Sequence, residues 1–176
     1  MNIHEYQAKR LLSSNGIKIP KGKIAYTADE ARRAAKAVSA KGPWMLKAQI
    51  QSGARAAGRF VEKRAGTRGG IRLAESLRDL WAEADAMLGS TLVTKQTGLQ
   101  GKLVSRLYVE AYVRVGFTFY AGMAIDRAQA SVTLLLANTK DNDINEIAES
   151  DPGRILRLPI DLVTGPMPKP VKRPNF

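Results

Sequence analysis

Trp44-Met45-Leu46-Lys47-Ala48-Gln49-Ile50-Gln51-Ser52-Gly53-Ala54-Arg55 is the stretch on which the fold turns. Residues 44–50 read as a β-strand, mostly apolar and set off from what precedes them by Gly42-Pro43. A lysine at the middle of such a strand is costly unless its ammonium meets water or an anion. The small residues from Gly53 to Gly58 let backbone amides approach a phosphate closely. Strand lysine plus glycine loop is therefore one physical recipe for holding a nucleotide triphosphate. The same pattern also describes a snorkelling surface lysine before an ordinary hairpin loop, and spacing alone favours that plainer reading. The loop matches neither a Walker sequence nor GxGxxG.

Upstream, residues 3–15 read as a helix with Ile3, Ala8, Leu11 and Leu12 near one face and Gly16 as its stop. Residues 23–26 form a short strand. Thr27-Ala28-Asp29-Glu30 is a capping box: the Thr27 hydroxyl accepts from the third helical amide, and Glu30 reaches back to the Thr27 amide. The alanine-rich helix it opens runs to Ser39. Downstream, residues 51–70 form a long loop or hairpin, and a loop of this length is usually functional or disordered. Residues 71–73 return as a strand. Residues 76–88 form an amphipathic helix with Leu77, Leu80, Trp81, Ala84 and Leu88 inward, capped by Gly89. Trp44 and Trp81 both read as core.

Beyond Gly89 the pattern becomes strand-rich: 92–96, 104–112, 117–125 and 132–137, with Asp126-Arg127 opening the last turn. Residues 142–149 read as a short helix and 155–160 as extended. The tail from Pro166 to Pro174 carries too many prolines for a helix. The order is mixed α/β, with adjacent late strands pairing antiparallel.

The chain has 176 residues, 44% hydrophobic and 25% charged, enough for one domain or two small lobes with a real core. It has no cysteine, which excludes disulfides and thiolate chemistry, and a single histidine, His4, which cannot build a histidine-rich metal site. No metal-ligand or catalytic residue is singled out. The amino terminus has no signal-peptide character and no run is apolar enough to span a bilayer, so a cytoplasmic protein without a membrane partner is expected. The 28 basic and 16 acidic residues leave a net charge of +12, which favours anionic partners without choosing among them. Scattered basic residues and only 6% aromatics argue against a nucleic-acid module. The basic run from Arg55 to Arg72 reads as either a phosphate-facing lid or, more commonly, a solvated loop.

Several ordered segments carry a resemblance: MNIHEYQAKRLL at the start, LKAQI at 46–50, GRF at 58–60, GGIRLAES at 69–76, MLGSTLVTKQTG at 87–98, LYVEA at 107–111, and Thr164-Gly165-Pro166-Met167-Pro168. Together they resemble succinyl-CoA synthetase β chains and the related malate-CoA ligase β chains. The resemblance implies an incomplete ATP-grasp fold: a first lobe at residues 1–105 with a flexible lid at 51–70, the start of a second lobe at 106–168, and a basic tail at 169–176. It further implies an ADP-forming acyl-CoA ligase using ATP (or GTP) with Mg²⁺, partnered by an α-type CoA ligase subunit or by self-association. In that picture Lys47 contacts the nucleotide phosphates and Gly53, Ala54 and Arg55 form the lid. Glu110 lies at the hinge near the base, and Thr118 stands where the family holds the ribose.

The same resemblance shows departures. The family lid reads roughly GGRGKG, whereas this chain has Gly53-Ala54-Arg55-Ala56-Ala57-Gly58. An acidic residue is replaced by Thr118, and a family STEGG by Asn138-Thr139-Lys140-Asp141-Asn142. The family's Mg²⁺-binding Asn and Asp lie in parts that have no counterpart here. These changes support an alternative: a catalytically degenerate paralogue acting as a non-catalytic binding or subunit-association module, the 176-residue chain being inactive alone.

Overall fold

The computed structural model describes residues 3–127, 131–138, 144–161, 163 and 165–166. They divide into two units, Met1–Val113 and Arg114–Phe176. The first unit contains α1 (Glu5–Ser14), β1 (Gly22–Ala25), α2 (Ala28–Val38), β2 (Trp44–Ala48), β3 (Arg59–Phe60) and β4 (Ile71–Ala74). It continues with α3 (Leu77–Met87), β5 (Thr91–Val93), β6 (Lys102–Leu103) and β7 (Leu107–Ala111). The second holds β8 (Tyr120–Asp126), β9 (Ser131–Ala137), α4 (Ile144–Ser150), β10 (Leu156–Asp161) and β11 (Gly165–Pro166). The tail from 167 onward, and the stretch 139–143 that carries the STEGG departure, lie outside the described residues.

The main sheet of the first unit runs β1-β7-β2-β4, all neighbours antiparallel. β7 is therefore a central strand of this sheet, pairing with β1 and β2, rather than the opening strand of the second unit. Alternation sends Trp44, Leu46 and Ala48 to one face together with Val109 and Leu107, their register partners on β7. α2 and α3 cover this face with Ala31, Ala34, Ala35, Leu80, Ala84 and Met87. Alanine on α2 keeps the helix close to the sheet, and the Trp44 indole N–H reaches the Ala35 carbonyl at 2.9 Å. Leu46 is fully buried, and its truncation to alanine would cost about 2–5 kcal/mol.

The helix boundaries follow their caps. Thr27 Oγ1 accepts from the Glu30 amide at 3.1 Å, as the capping box requires. Glu30, however, accepts from the Tyr26 amide at 2.7 Å, one residue earlier than the motif implies. Ser76 caps α3 in the same way, accepting from Asp79, and Gly89 follows α3 with φ 71°.

Three expectations are corrected. Trp81 is 39% exposed, because Leu80, Ala84 and Met87 take the inward stripe of α3 and turn residue 81 sideways; its indole N–H donates to Asp29 on α2. α1 buries no residue at all, and Leu11 and Leu12 stay exposed. Residues 51–70 are not an open loop. They contain β3 and a short 3₁₀ turn at Lys63–Ala65, folded around the buried guanidinium of Arg72. That group donates to the carbonyls of Ala65, Arg68 and Gly69 and pairs with Glu83. Burial, with Arg68 nearby, lowers its pKa to about 10, so it stays charged at neutral pH. The Gly70 amide bonds the Arg55 carbonyl at 2.8 Å, and a Cβ on Gly69 would sit 2.0 Å from the Ala56 carbonyl oxygen.

The second unit is a four-stranded antiparallel sheet, β11-β10-β9-β8, as the late strand run predicts. α4 packs Ile147 and Ile144 against Ala137, Leu135, Tyr120 and Ile155.

Candidate functional site

Alternation along β2 turns Lys47 away from the helix-covered face, toward the face carrying Tyr108 and Glu110 of β7. α1 lies on that second face and supplies the partners. Lys47 Nζ is 3.0 Å from Glu5 Oε1 and 2.6 Å from Glu110 Oε2. Lys9 pairs with Glu110 and is 3.2 Å from Glu5. Arg55 donates to Glu5 Oε2 at 2.6 Å and to the Ala48 carbonyl at 2.7 Å. Three cations thus converge on two carboxylates, leaving one positive charge in excess.

The electrostatics follow from that packing. Burial would raise the Glu5 carboxyl, but Lys47 and Arg55 outweigh it and hold its pKa at about 2. Burial would lower Lys47, but Glu110 and Glu5 outweigh it and raise the ammonium above its usual range. Burial, then Glu110 and Glu5, raise the Tyr108 phenol. The Glu110 side chain is only 5% exposed.

Beside the cluster opens a groove of about 470 Å³, lined among others by Ile3, Glu5, Arg55, Ser52, Gly53 and Gln96. The glycine segment is stapled at its start: the Gly53 amide donates to Gln96 Oε1 at 2.7 Å, and Ser52 Oγ shares a 2.6 Å bond with Thr94 Oγ1. Ala54 has φ 53° and is the positive-φ residue among the described non-glycines. A left-handed alanine costs about 1–3 kcal/mol relative to ordinary backbone, so the turn keeps the shape of a glycine turn without the glycine.

Lys47, Arg55 and Glu110 are therefore brought together, with Gly53 and Ala54 in the adjacent turn. Thr118 is exposed and belongs to the second unit. Sequence reasoning missed Glu5 and Lys9. Their i,i+4 spacing, with glutamate first, is a helix-pair signal, yet nothing in the sequence says that the pair folds over strand β2. Among the described residues no group of three or more His, Cys, Asp or Glu is placed to hold a metal ion, so no step through Mg²⁺ is derived. No described helix is long and apolar enough to cross a membrane.

Antiparallel sheets with flanking helices, and a strand lysine beside a small-residue loop, accord with an ATP-grasp architecture. The chain belongs to that family: the ATP-grasp domain pattern matches residues 2–174. Within it, the chain is similar to curated succinate–CoA ligase [ADP-forming] β subunits. It is 46% identical over 169 residues to the Erythrobacter litoralis protein, covering 96% of this chain and 42% of that one. It is 43% identical over 166 residues to the Acidiphilium cryptum protein, covering 94% and 41%. The chain thus spans about two-fifths of the length of these relatives. Among solved structures it is similar in fold to an acetyl-coenzyme A synthetase of Ca. Korarchaeum cryptofilum, with TM-score 0.51 and 15% identity over 77% of this chain and 52% of that one.

Proposed function

We propose that this chain is the nucleotide-binding part of an ADP-forming acyl-CoA ligase β subunit of the succinate type. The observation that carries the reading is the sharing of Glu5 by Lys47 and Arg55 at the wall of the groove. A nucleotide phosphate entering there would find two cations whose common counter-ion sits on a helix with no fully buried residue. Phosphate oxygens would replace the Glu5 carboxylate on Lys47 and on the planar fork of Arg55. Glu110, far more enclosed, would stay on Lys9 and Lys47 and keep the ammonium aimed.

In a complete ligase of this kind, succinate, CoA and ATP (or GTP) with Mg²⁺ would give succinyl-CoA, ADP and phosphate, with an α-type subunit as partner, in the cytoplasm. Magnesium would supply charge neutralisation for the transferred group, and no group of described residues in this chain is placed to hold it. The residues of this chain would bind and orient the phosphates; none of them is assigned a catalytic step, and the chain alone would be inactive.

Thermal shift with MgATP tests the reading. A rise of several degrees that disappears in Lys47→Ala is expected. Identical melting with and without nucleotide up to millimolar concentration would overturn it. That result would leave the second reading, a non-catalytic association module, which is favoured by the cations of the site each already having an internal carboxylate partner.

A further inference from the structure

Small residues at 53–58 suit close approach of backbone amides to a phosphate, yet the first of these amides is already engaged. Gly53 donates to Gln96 Oε1 at 2.7 Å, across 43 positions of chain. Gln96 belongs to a tight turn that follows β5. In that turn the Gln96 amide donates to Thr94 Oγ1 at 3.2 Å, and the Thr94 amide donates to Thr97 Oγ1 at 2.9 Å. Thr94 is buried, and its hydroxyl also shares the 2.6 Å bond with Ser52 Oγ. The glycine turn and the threonine turn are thus joined at two successive residues, 52 and 53. Ser52, Gly53 and Gln96 line the same groove as Glu5 and Arg55.

A carboxamide has an acceptor end and a donor end. A backbone amide can only donate, so Oε1 is the end that faces Gly53 and Nε2 carries the donors. Gln96 is exposed and lines the groove, which puts that donor end within reach of a ligand there. The missing side chain at residue 53 has the same cause. A Cβ there would lie 2.9 Å from Gln96 Nε2 and 3.1 Å from Oε1. Gly53 is not one of the positive-φ glycines, so what its small size makes room for is the carboxamide. Holding the turn would be served as well by a glutamate, whose ionised oxygens accept more strongly. Only a second task, donating into the groove, needs the Nε2 end.

We propose that Gln96 is a binding and positioning residue of the nucleotide site: Oε1 holds the glycine turn in place while Nε2 donates to a phosphate oxygen of the nucleotide. The proposal deepens the nucleotide reading and rests on it. Arg55 supplies charge to the phosphates from the same groove, and Gln96 adds a directional hydrogen bond without a further charge. Because the Ser52 and Gly53 bonds fix where Gln96 stands, the donor is in place before the ligand arrives, and little side-chain freedom is lost on binding.

Two variants separate the two tasks. Gln96→Glu keeps an acceptor for the Gly53 amide but offers the phosphates only acceptor oxygens; Gln96→Ala removes both ends. Calorimetry gives the MgATP affinity, and heteronuclear NMR follows the Gly53 amide in the chain without ligand. In Gln96→Glu the Gly53 proton should move downfield and the melting temperature stay within about two degrees of wild type, while MgATP binds roughly tenfold more weakly or worse. In Gln96→Ala the proton should move upfield and binding weaken several-fold. Gly53→Ala should weaken binding to the same degree, and combining it with Gln96→Ala should add nothing, since both act through one bond. MgATP binding at wild-type strength in either Gln96 variant overturns the phosphate contact. A Gly53 signal unmoved in Gln96→Ala overturns the positioning role. A wild type that binds no MgATP overturns the phosphate contact together with the nucleotide reading, and the ligand-free Gly53 signal tells that failure from a failure of the turn itself.

Discussion

Glu5→Gln removes one charge from the centre of the cluster and tests whether α1 is held down by electrostatics. In the folded chain the Glu5 carboxyl sits at about 2 instead of 4.5. At about 1.36 kcal/mol per pH unit that gap corresponds to roughly 3 kcal/mol of differential stabilisation. The carboxylate borders an open groove, so solvent screening reduces the figure to about 1–2 kcal/mol. The folded value lies below the unfolded one. The contribution is therefore complete above pH 4.5 and disappears as pH falls toward 2. Urea unfolding of wild type and Glu5→Gln at a series of pH values from 7 down to 2.5 isolates it, because every other carboxylate titrates in both proteins. The two stabilities should differ by about 1–2 kcal/mol at neutral pH and converge at the acid end. A difference that stays constant across the series would refute the assignment. It would mean that glutamine disturbs packing rather than charge. Hydrogen exchange on α1 at neutral pH adds a local readout: with no fully buried residue to hold it, the helix should lose protection in the variant.

Other substitutions probe the rest of the frame. Ala54→Gly should stabilise the chain by about 0.5–1 kcal/mol, since relief at φ 53° exceeds the added freedom of the unfolded state; a loss of stability in chemical denaturation would contradict the left-handed turn. Arg72→Leu should cost about 3 kcal/mol by leaving three carbonyls without their donor and Glu83 with Arg68 as its remaining partner. Arg72→Lys should recover less than half of that, because an ammonium cannot span the same acceptors. Trp44→Phe should cost about 1–3 kcal/mol through lost volume and the bond to Ala35, whereas Trp81→Phe should cost under about 0.5 kcal/mol, and thermal melts of the pair would expose a misplaced core if the order reversed.

Local signals were legible in the sequence wherever a short-range interaction decides the structure. The cap at Thr27, the glycine after α3, the strand around Lys47 and the antiparallel run after residue 117 all depend on neighbours within a few positions. Their location could be read because the physics that fixes them is local. Trp81 was misplaced because periodicity gives a stripe its width but not its centre. A rotation of one residue around α3 separates a buried indole from one that bridges to Asp29. Arg72 was grouped with the loop arginines because it lies between a glycine pair and a strand. Only the pairing of Arg72 with Leu46 shows that it points to the covered face.

The site divides in the same way. Lys47 stood out because an ammonium on an apolar strand demands an anion, and that demand is visible without a fold. Which anion answers it is a question of tertiary structure. In the chain alone the answer is internal: Glu5 lies 42 positions upstream of Lys47, and Glu110 reaches it from the neighbouring strand. A nucleotide must therefore displace a carboxylate rather than fill a vacancy, and its net gain is the difference between two anions on the same cations. That difference favours phosphate only if α1 yields readily. A helix attached through ion pairs, with Leu11 and Leu12 in water, is the kind that does. Glu5→Gln should then bind MgATP several-fold more tightly than wild type by calorimetry while Lys47→Ala binds more weakly. Equal affinities in wild type and Glu5→Gln would show that the phosphates and Glu5 do not meet at the same cations.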